Sequence, residues 1–213
     1  MGLATAMTRR TRTGVGAPLD DRQLADAARR GDESAFTALV ERHAGGLHRA
    51  IARILVDSTE AWDVVQMTFL RSWQSLDRYD PRWSFSTWLY RIGTNLAIDL
   101  LRARSSRERA HVAGAEHHLR LVGEGQGAGE LARQREVDTI LAELVTVLPP
   151  QQRAAFVLRE LEGQDTAEVA EALGCSPTTV RNHVFQARKI LRQEILHRFP
   201  EYAPPARRSP DAL

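Results

Sequence analysis

The 213-residue chain has a single cysteine, Cys175, which excludes an internal disulfide framework and any metal site built on several cysteines. Lysine is equally scarce. Of 29 basic residues all but Lys189 are arginine, a bias that fits either a GC-rich genome or selection for the bidentate guanidinium. No stretch approaches the roughly 18 consecutive apolar residues of a membrane span. The first 17 residues carry Arg9, Arg10 and Arg12 without a following apolar core, so no signal peptide is expected and the cytoplasm is the expected compartment. No G-x-x-x-x-G-K-[ST] loop, H-E-x-x-H pair or cysteine–histidine metal spacing occurs. His43 and His48 are five apart and face different ways on a helix, and His117-His118 fall in a glycine-rich stretch. The expectation is a protein without catalytic residues, metal or cofactor.

What is present has globular composition, 43% apolar and 26% charged. The net charge is only +2, but it is unevenly placed. Arg91–Arg109 holds five arginines against Asp99 and Glu108, and Arg181–Arg198 holds five basic residues against Glu194. Two basic segments on a nearly neutral chain suggest two contacts with a polyanion, although such runs also serve simply as solvated faces. Between Gly114 and Gly129 lie five of the fourteen glycines, with no sustained periodicity. That stretch reads as a flexible tether of about 27 residues, reaching roughly 90 Å at full extension and nearer 30 Å relaxed.

Both flanks read as helical, so the fold class is all-α, in two small domains. In the first, Asp20 or Asp21 caps a short helix that Gly31 ends, and Asp32 opens a second with Phe36, Leu39, Val40, His43 and Leu47 at spacings of three and four. Ser58 or Thr59 begins a third, with Trp62, Val65, Phe69 and Trp73 as its apolar stripe. After Asp80-Pro81, Ser84 or Ser86 starts a fourth that runs to about Arg102. In the second flank, Val137, Ile140, Leu141, Leu144 and Leu148 form a stripe over 131–148, and Pro149-Pro150 stops that helix and starts another reaching Leu161.

The most specific local signal follows. A helix over 165–173, the turn Gly174-Cys175-Ser176 and a longer helix from Pro177 to about Ile195 make a helix-turn-helix, whose second helix enters the DNA major groove. Val180, Val184, Ala187 and Leu191 face inward; Arg181, Phe185, Arg188 and Arg192 fall on another face, with Asn182 beside them. Arginine pairs with guanine edges, asparagine with adenine, and an aromatic ring covers a thymine methyl. Phe185 alternatively packs under the preceding helices. Thr178 and Thr179 are placed to meet phosphate through backbone N–H groups, and Cys175 reads as a small turn residue.

The fourth helix has a different character. Trp83, Phe85, Trp88 and Tyr90 precede Arg91, Asn95, Arg102 and Arg104, and such interleaving suits single-stranded nucleic acid, where bases stack on rings and arginine follows phosphate. Trp88 also heads a core stripe with Ile92, Leu96 and Leu100, which favours a structural role for it, while Asn95 and Asp99 lie on a different face.

Taken in order, DVVQMTFLRSW (63–73), FSTWLYRIGTNLAIDLLR (85–102), a variable linker, LPPQQRAAFVLRELEG (148–163) and the helix-turn-helix resemble an extracytoplasmic-function (ECF) sigma factor of bacterial RNA polymerase. The resemblance implies a flexible tail over 1–19, sigma region 2 over 20–109, a linker over 110–130, sigma region 4 over 131–200 and a second tail over 201–213. It implies polymerase contacts from Asp63, Gln66 and Arg71. It implies −10 recognition and melting by Trp83, Phe85, Tyr90, Arg91, Asn95 and Arg102, and −35 recognition by Thr178, Thr179, Arg181, Asn182, Phe185 and Arg188. The implied partners are the clamp and flap of core polymerase, promoter DNA in double- and single-stranded form, and an anti-sigma factor, in a stress-response role. Met67 stands where the family commonly has glutamate, and His183 and Gln186 where arginine is frequent; Met1–Pro18 has no family counterpart, and Met7 is an alternative start. The competing reading is a helix-turn-helix regulator that binds DNA without serving as a polymerase subunit.

Overall fold

The computed structural model describes residues 19–110 and 139–200. The glycine-rich stretch, both tails, and Leu131 and Val137 of the expected stripe lie outside the described residues. Among the described residues every regular element is helical.

Helix α1 (Asp21–Arg29) starts at a capping box in which Asp20 accepts from the Gln23 N–H and Gln23 accepts from the Asp20 N–H. Helix α2 (Glu33–Leu55) is capped by Asp32, which accepts from the backbone of Ser34 and Ala35; the Ser34 hydroxyl, donating to the same carboxylate, and the Ala35 N–H hold its carboxyl below the usual range. Helix α3 (Ser58–Gln74) begins at Ser58, the earlier of the two expected starts, and is capped by Asp57. A 3-10 turn (Leu76–Arg78) and a short loop lead into α4 (Phe85–Ala110), where the Ser84 hydroxyl accepts the Thr87 N–H. The second domain comprises α5 (139–145), α6 (Pro150–Phe156) running into a π-turn (Val157–Leu161), α7 (Thr166–Leu173) and α8 (Pro177–Arg198).

Helix α4 corrects the expected stripe. Its buried positions are Phe85, Thr87, Leu89, Gly93, Thr94, Ala97, Ile98 and Leu101, while Trp88, Ile92, Leu96 and Leu100 are only partly covered. Small side chains allow the close approach: a Cβ on Gly93 would stand 3.1 Å from a Leu47 methyl and 3.2 Å from the Thr68 hydroxyl. Helix α3 likewise buries Ala61, Val64, Val65, Thr68, Phe69 and Ser72, leaving Trp62 outside the core. The helix-turn-helix core has the expected membership, with Val180, Val184, Ala187 and Leu191 all buried.

The two domains share their cores. Ala154 and Val157 complete the apolar cluster of the first domain, and Ala50 of α2 joins the cluster of α7 and α8. Arg153 links them by donating to three carbonyls, Ile54 at 3.1 Å, Thr146 at 2.6 Å and Leu148 at 3.3 Å. Burial, with Arg104 nearby, brings its pKa down to about 10, so it stays charged at neutral pH.

Candidate nucleic-acid interface

The entry to α4 and the loop before it form a cleft of about 590 Å³ lined by Arg78, Asp80, Arg82, Trp83, Trp88, Arg91 and Glu171. Trp88 is held by ring contacts to Tyr79 at 5.4 Å and Phe85 at 5.6 Å, and the Tyr79 hydroxyl donates to the Trp83 carbonyl at 2.9 Å. Arg82 hydrogen-bonds Asp80 and keeps that carboxyl below its usual range. The cleft thus combines two indole rings with three guanidinium groups, the chemistry that binds an unstacked base and its phosphates. Trp88, Arg78 and Arg82 are additions to the expected set. Trp88 was hidden by its place in an apparent core stripe, and the arginines by their position outside the helix.

Phe85 is a correction. Its ring is fully buried, edge-on to Tyr79 at 5.5 Å, so it supports the cleft from below and cannot touch DNA. Tyr90 is half-buried against the clusters of both domains, and burial raises its hydroxyl pKa. Arg91, Asn95, Asp99 and Arg102 line one exposed face of α4, with Arg102 3.6 Å from the Asp99 carboxylate. Arg91 is ion-paired to Glu171.

On the second domain, Gly174 ends α7 in the left-handed region (φ 62°), where an L side chain is disfavoured, and Ser176 then caps α8 through the Thr179 N–H at 3.1 Å. That bond occupies the Thr179 N–H expected to meet phosphate, whereas the Thr178 side chain is exposed. Arg181, Asn182, Phe185 and Arg188 all face solvent, with Phe185 64% exposed, so its ring does not pack beneath the neighbouring helices. Arg188 also pairs with Glu160. Cys175 is partly buried in the turn, and burial raises its thiol pKa.

The third surface is the outer face of α3. Asp63, Gln66 and Arg71 are exposed as expected, and they surround exposed Met67 and Leu70. Trp62 stacks on His48 at 4.2 Å with nearly half its surface open, and Trp73 packs on Phe36 at 4.8 Å while remaining partly exposed. Leu70 and Trp62 join this surface unannounced by the sequence, where apolar residues read as core.

Comparison with known proteins places the chain in one family. The family model for sigma-70 region 2 matches residues 39–107, and that for region 4 matches residues 138–191. The chain is 31% identical over 179 residues to the RNA polymerase sigma-H factor of Pseudomonas aeruginosa, covering 80% of this chain and 91% of that protein. It is 31% identical over 185 residues to the ECF RNA polymerase sigma-E factor of Haemophilus influenzae, covering 83% and 96%. The chain belongs to the ECF sigma factors of RNA polymerase. Among solved structures, CnrH bound to the cytosolic domain of CnrY is similar, with a TM-score of 0.59, 32% identity and coverage of 82% of this chain and 96% of that one. The sigma factor RpoE of Bartonella quintana, in complex with the anti-sigma factor NepR, shares the fold at a TM-score of 0.59 and 21% identity, over 76% of this chain and 96% of that one. This sigma factor is therefore a transcription-initiation subunit that acts with RNA polymerase on promoter DNA, and not an enzyme. Among the described residues no helix is long and apolar enough to cross a membrane.

Proposed function

We propose that this sigma factor works with core polymerase in the cytoplasm, with the outer face of α3 docking on the polymerase, the α4 cleft capturing an unstacked −10 base and α8 reading the −35 duplex. The observation that carries the reading is Phe185, 64% exposed within an arginine-lined face of a helix-turn-helix. Such a ring is costly in water and favourable against a thymine methyl. Opening DNA costs on the order of 1.4 kcal/mol per stacked step, which binding must offset. Duplex contacts and polymerase anchor the complex, and the indole-lined cleft traps the opened strand. An anti-sigma factor controls access to these surfaces, a reading supported by the inhibitor-bound sigma factor of like fold.

Two substitutions test the assignment. Arg181→Ala is expected to weaken −35-dependent promoter binding by about 1–3 kcal/mol and to relax preference at one base position. Holoenzyme binding to promoters randomised in the −35 element measures this, and an unchanged profile removes Arg181 from the reading face. Asn95→Ala is expected to impair −10 recognition while leaving the affinity for core polymerase intact. Equal loss of both activities assigns Asn95 to the fold instead.

A further inference from the structure

The cleft is built on a loop, and what fixes that loop lies outside it. Residues 75–84 join α3 to α4 and bring Arg78, Asp80, Arg82 and Trp83 to the cleft. A loop that orders only when a strand arrives sets its ordering cost against binding, so a pre-set indole captures a base more tightly. The backbone bonds within the loop are short-range. The Ser75 carbonyl accepts from the Arg78 N–H at 2.9 Å, Leu76 from Tyr79 at 3.1 Å and Asp80 from Trp83 at 3.1 Å. Each spans three residues, so they shape local turns without fixing where the loop stands against the helices.

The tie comes from Arg29, in the last turn of α1, 47 residues before Leu76 and 50 before Tyr79. Its Nε donates to the Leu76 carbonyl at 3.0 Å and its Nη2 to the Tyr79 carbonyl. One planar guanidinium thus spans the 3-10 turn, from its first residue to the residue after its last. Asp26, one turn earlier on α1, pairs with Nη1 at 3.5 Å, so all three guanidinium nitrogens have partners within the chain. The guanidinium carbon also stands 5.7 Å from the centroid of the Tyr79 ring. Tyr79 carries the restraint onward. It is buried, its hydroxyl donates to the Trp83 carbonyl at 2.9 Å, and its ring meets Phe85 at 5.5 Å and Trp88 at 5.4 Å. The contacts that start on α1 therefore end at both indoles of the cleft, although no residue of α1 lines it.

We propose that Arg29 is a positioning residue for strand capture: it holds the turn over residues 76–79, and through Tyr79 the Trp83 backbone, so that the indole stands ready for an unstacked base. The proposal rests on the assignment of the cleft to −10 capture. Arg29 acts through Trp83 and touches no nucleotide itself. Replacing it removes the preference for a base in the cleft and leaves the phosphate contacts of the other arginines in place.

The test uses the full chain in holoenzyme and the −10 sequence obtained from start-site mapping. Fluorescence anisotropy compares a labelled single-stranded −10 oligonucleotide with versions made abasic at each position in turn. For wild type, loss of the captured base is expected to weaken binding about 5- to 150-fold, the worth of one stacked base. Arg29→Ala is expected to shrink that ratio by about fivefold or more, with affinity for the abasic strand and for core polymerase unchanged. Arg29→Lys keeps the charge and the apolar stem without the planar fork, and is expected to shrink the ratio likewise. It carries the test if Arg29→Ala does not fold. Tyr79→Phe, which deletes only the hydroxyl bonded to Trp83, is expected to move the ratio in the same direction. In a Trp83→Ala background the Arg29 substitution is expected to change nothing further. A wild-type ratio in the Arg29 variants or in Tyr79→Phe, an equal loss on intact and abasic strands, or a further loss in the Trp83→Ala background overturns the proposal. If wild-type holoenzyme shows no abasic penalty at any −10 position, the cleft assignment falls first and the proposal with it.

Discussion

Phe85→Ala is expected to destabilise the first domain by about 3–5 kcal/mol, the range for removing a fully buried phenylalanine. The ring has no exposed surface and touches His43 and Tyr79 at a centroid distance of 5.5 Å and Trp88 at 5.6 Å. Its loss leaves a cavity directly beneath the cleft. All four tryptophans lie in this domain, so denaturant unfolding followed by intrinsic fluorescence reports on it selectively. Phe85→Leu, which keeps much of the volume, is expected to recover most of the stability and, with it, promoter opening. A variant as stable as wild type but unable to open promoters would return Phe85 to the DNA-contacting set.

Trp83→Ala is expected to act in the opposite way, with a small stability change and a large functional one. Trp83 lines the cleft and is only partly covered. A base stacked on an aromatic ring is worth about 1–3 kcal/mol, so open-complex formation should fall by about 5- to 150-fold. Permanganate reactivity of −10 thymines in the reconstituted holoenzyme measures the opening, and retention of the closed complex on the same promoter measures binding. Unchanged permanganate reactivity would show that the indole stacks on no base. The contrast between neighbouring aromatics separates the floor of the cleft from its wall.

That contrast also shows where sequence reasoning succeeds. The second domain was legible because its signals agree: Ser176-Pro177 starts α8, Gly174 suits the left-handed turn, and Val180, Val184, Ala187 and Leu191 repeat at helical spacing beside an arginine face. Helix α4 was legible as a helix but not in its register. Its buried face runs through Gly93, Thr94 and Ala97, which carry little hydropathy, so the eye follows Trp88, Ile92, Leu96 and Leu100 instead. The same effect moved Phe85 from core to cleft and Trp88 from cleft to core. Apolar residues exposed for a partner, such as Leu70 and Met67, are indistinguishable from core until the fold orients them. The Arg91–Glu171 pair joins residues 80 apart in sequence and has no local signature.

The most direct test of the account is transcription by sigma-free core polymerase on a genomic promoter library, with and without this protein. New, discrete start sites preceded by two spaced elements shared among them are expected, with base preference relaxed in the upstream element by Arg181→Ala and recognition of the downstream one impaired by Asn95→Ala. A folded protein that gives no initiation with active core polymerase, in the absence of any inhibitor, would contradict it.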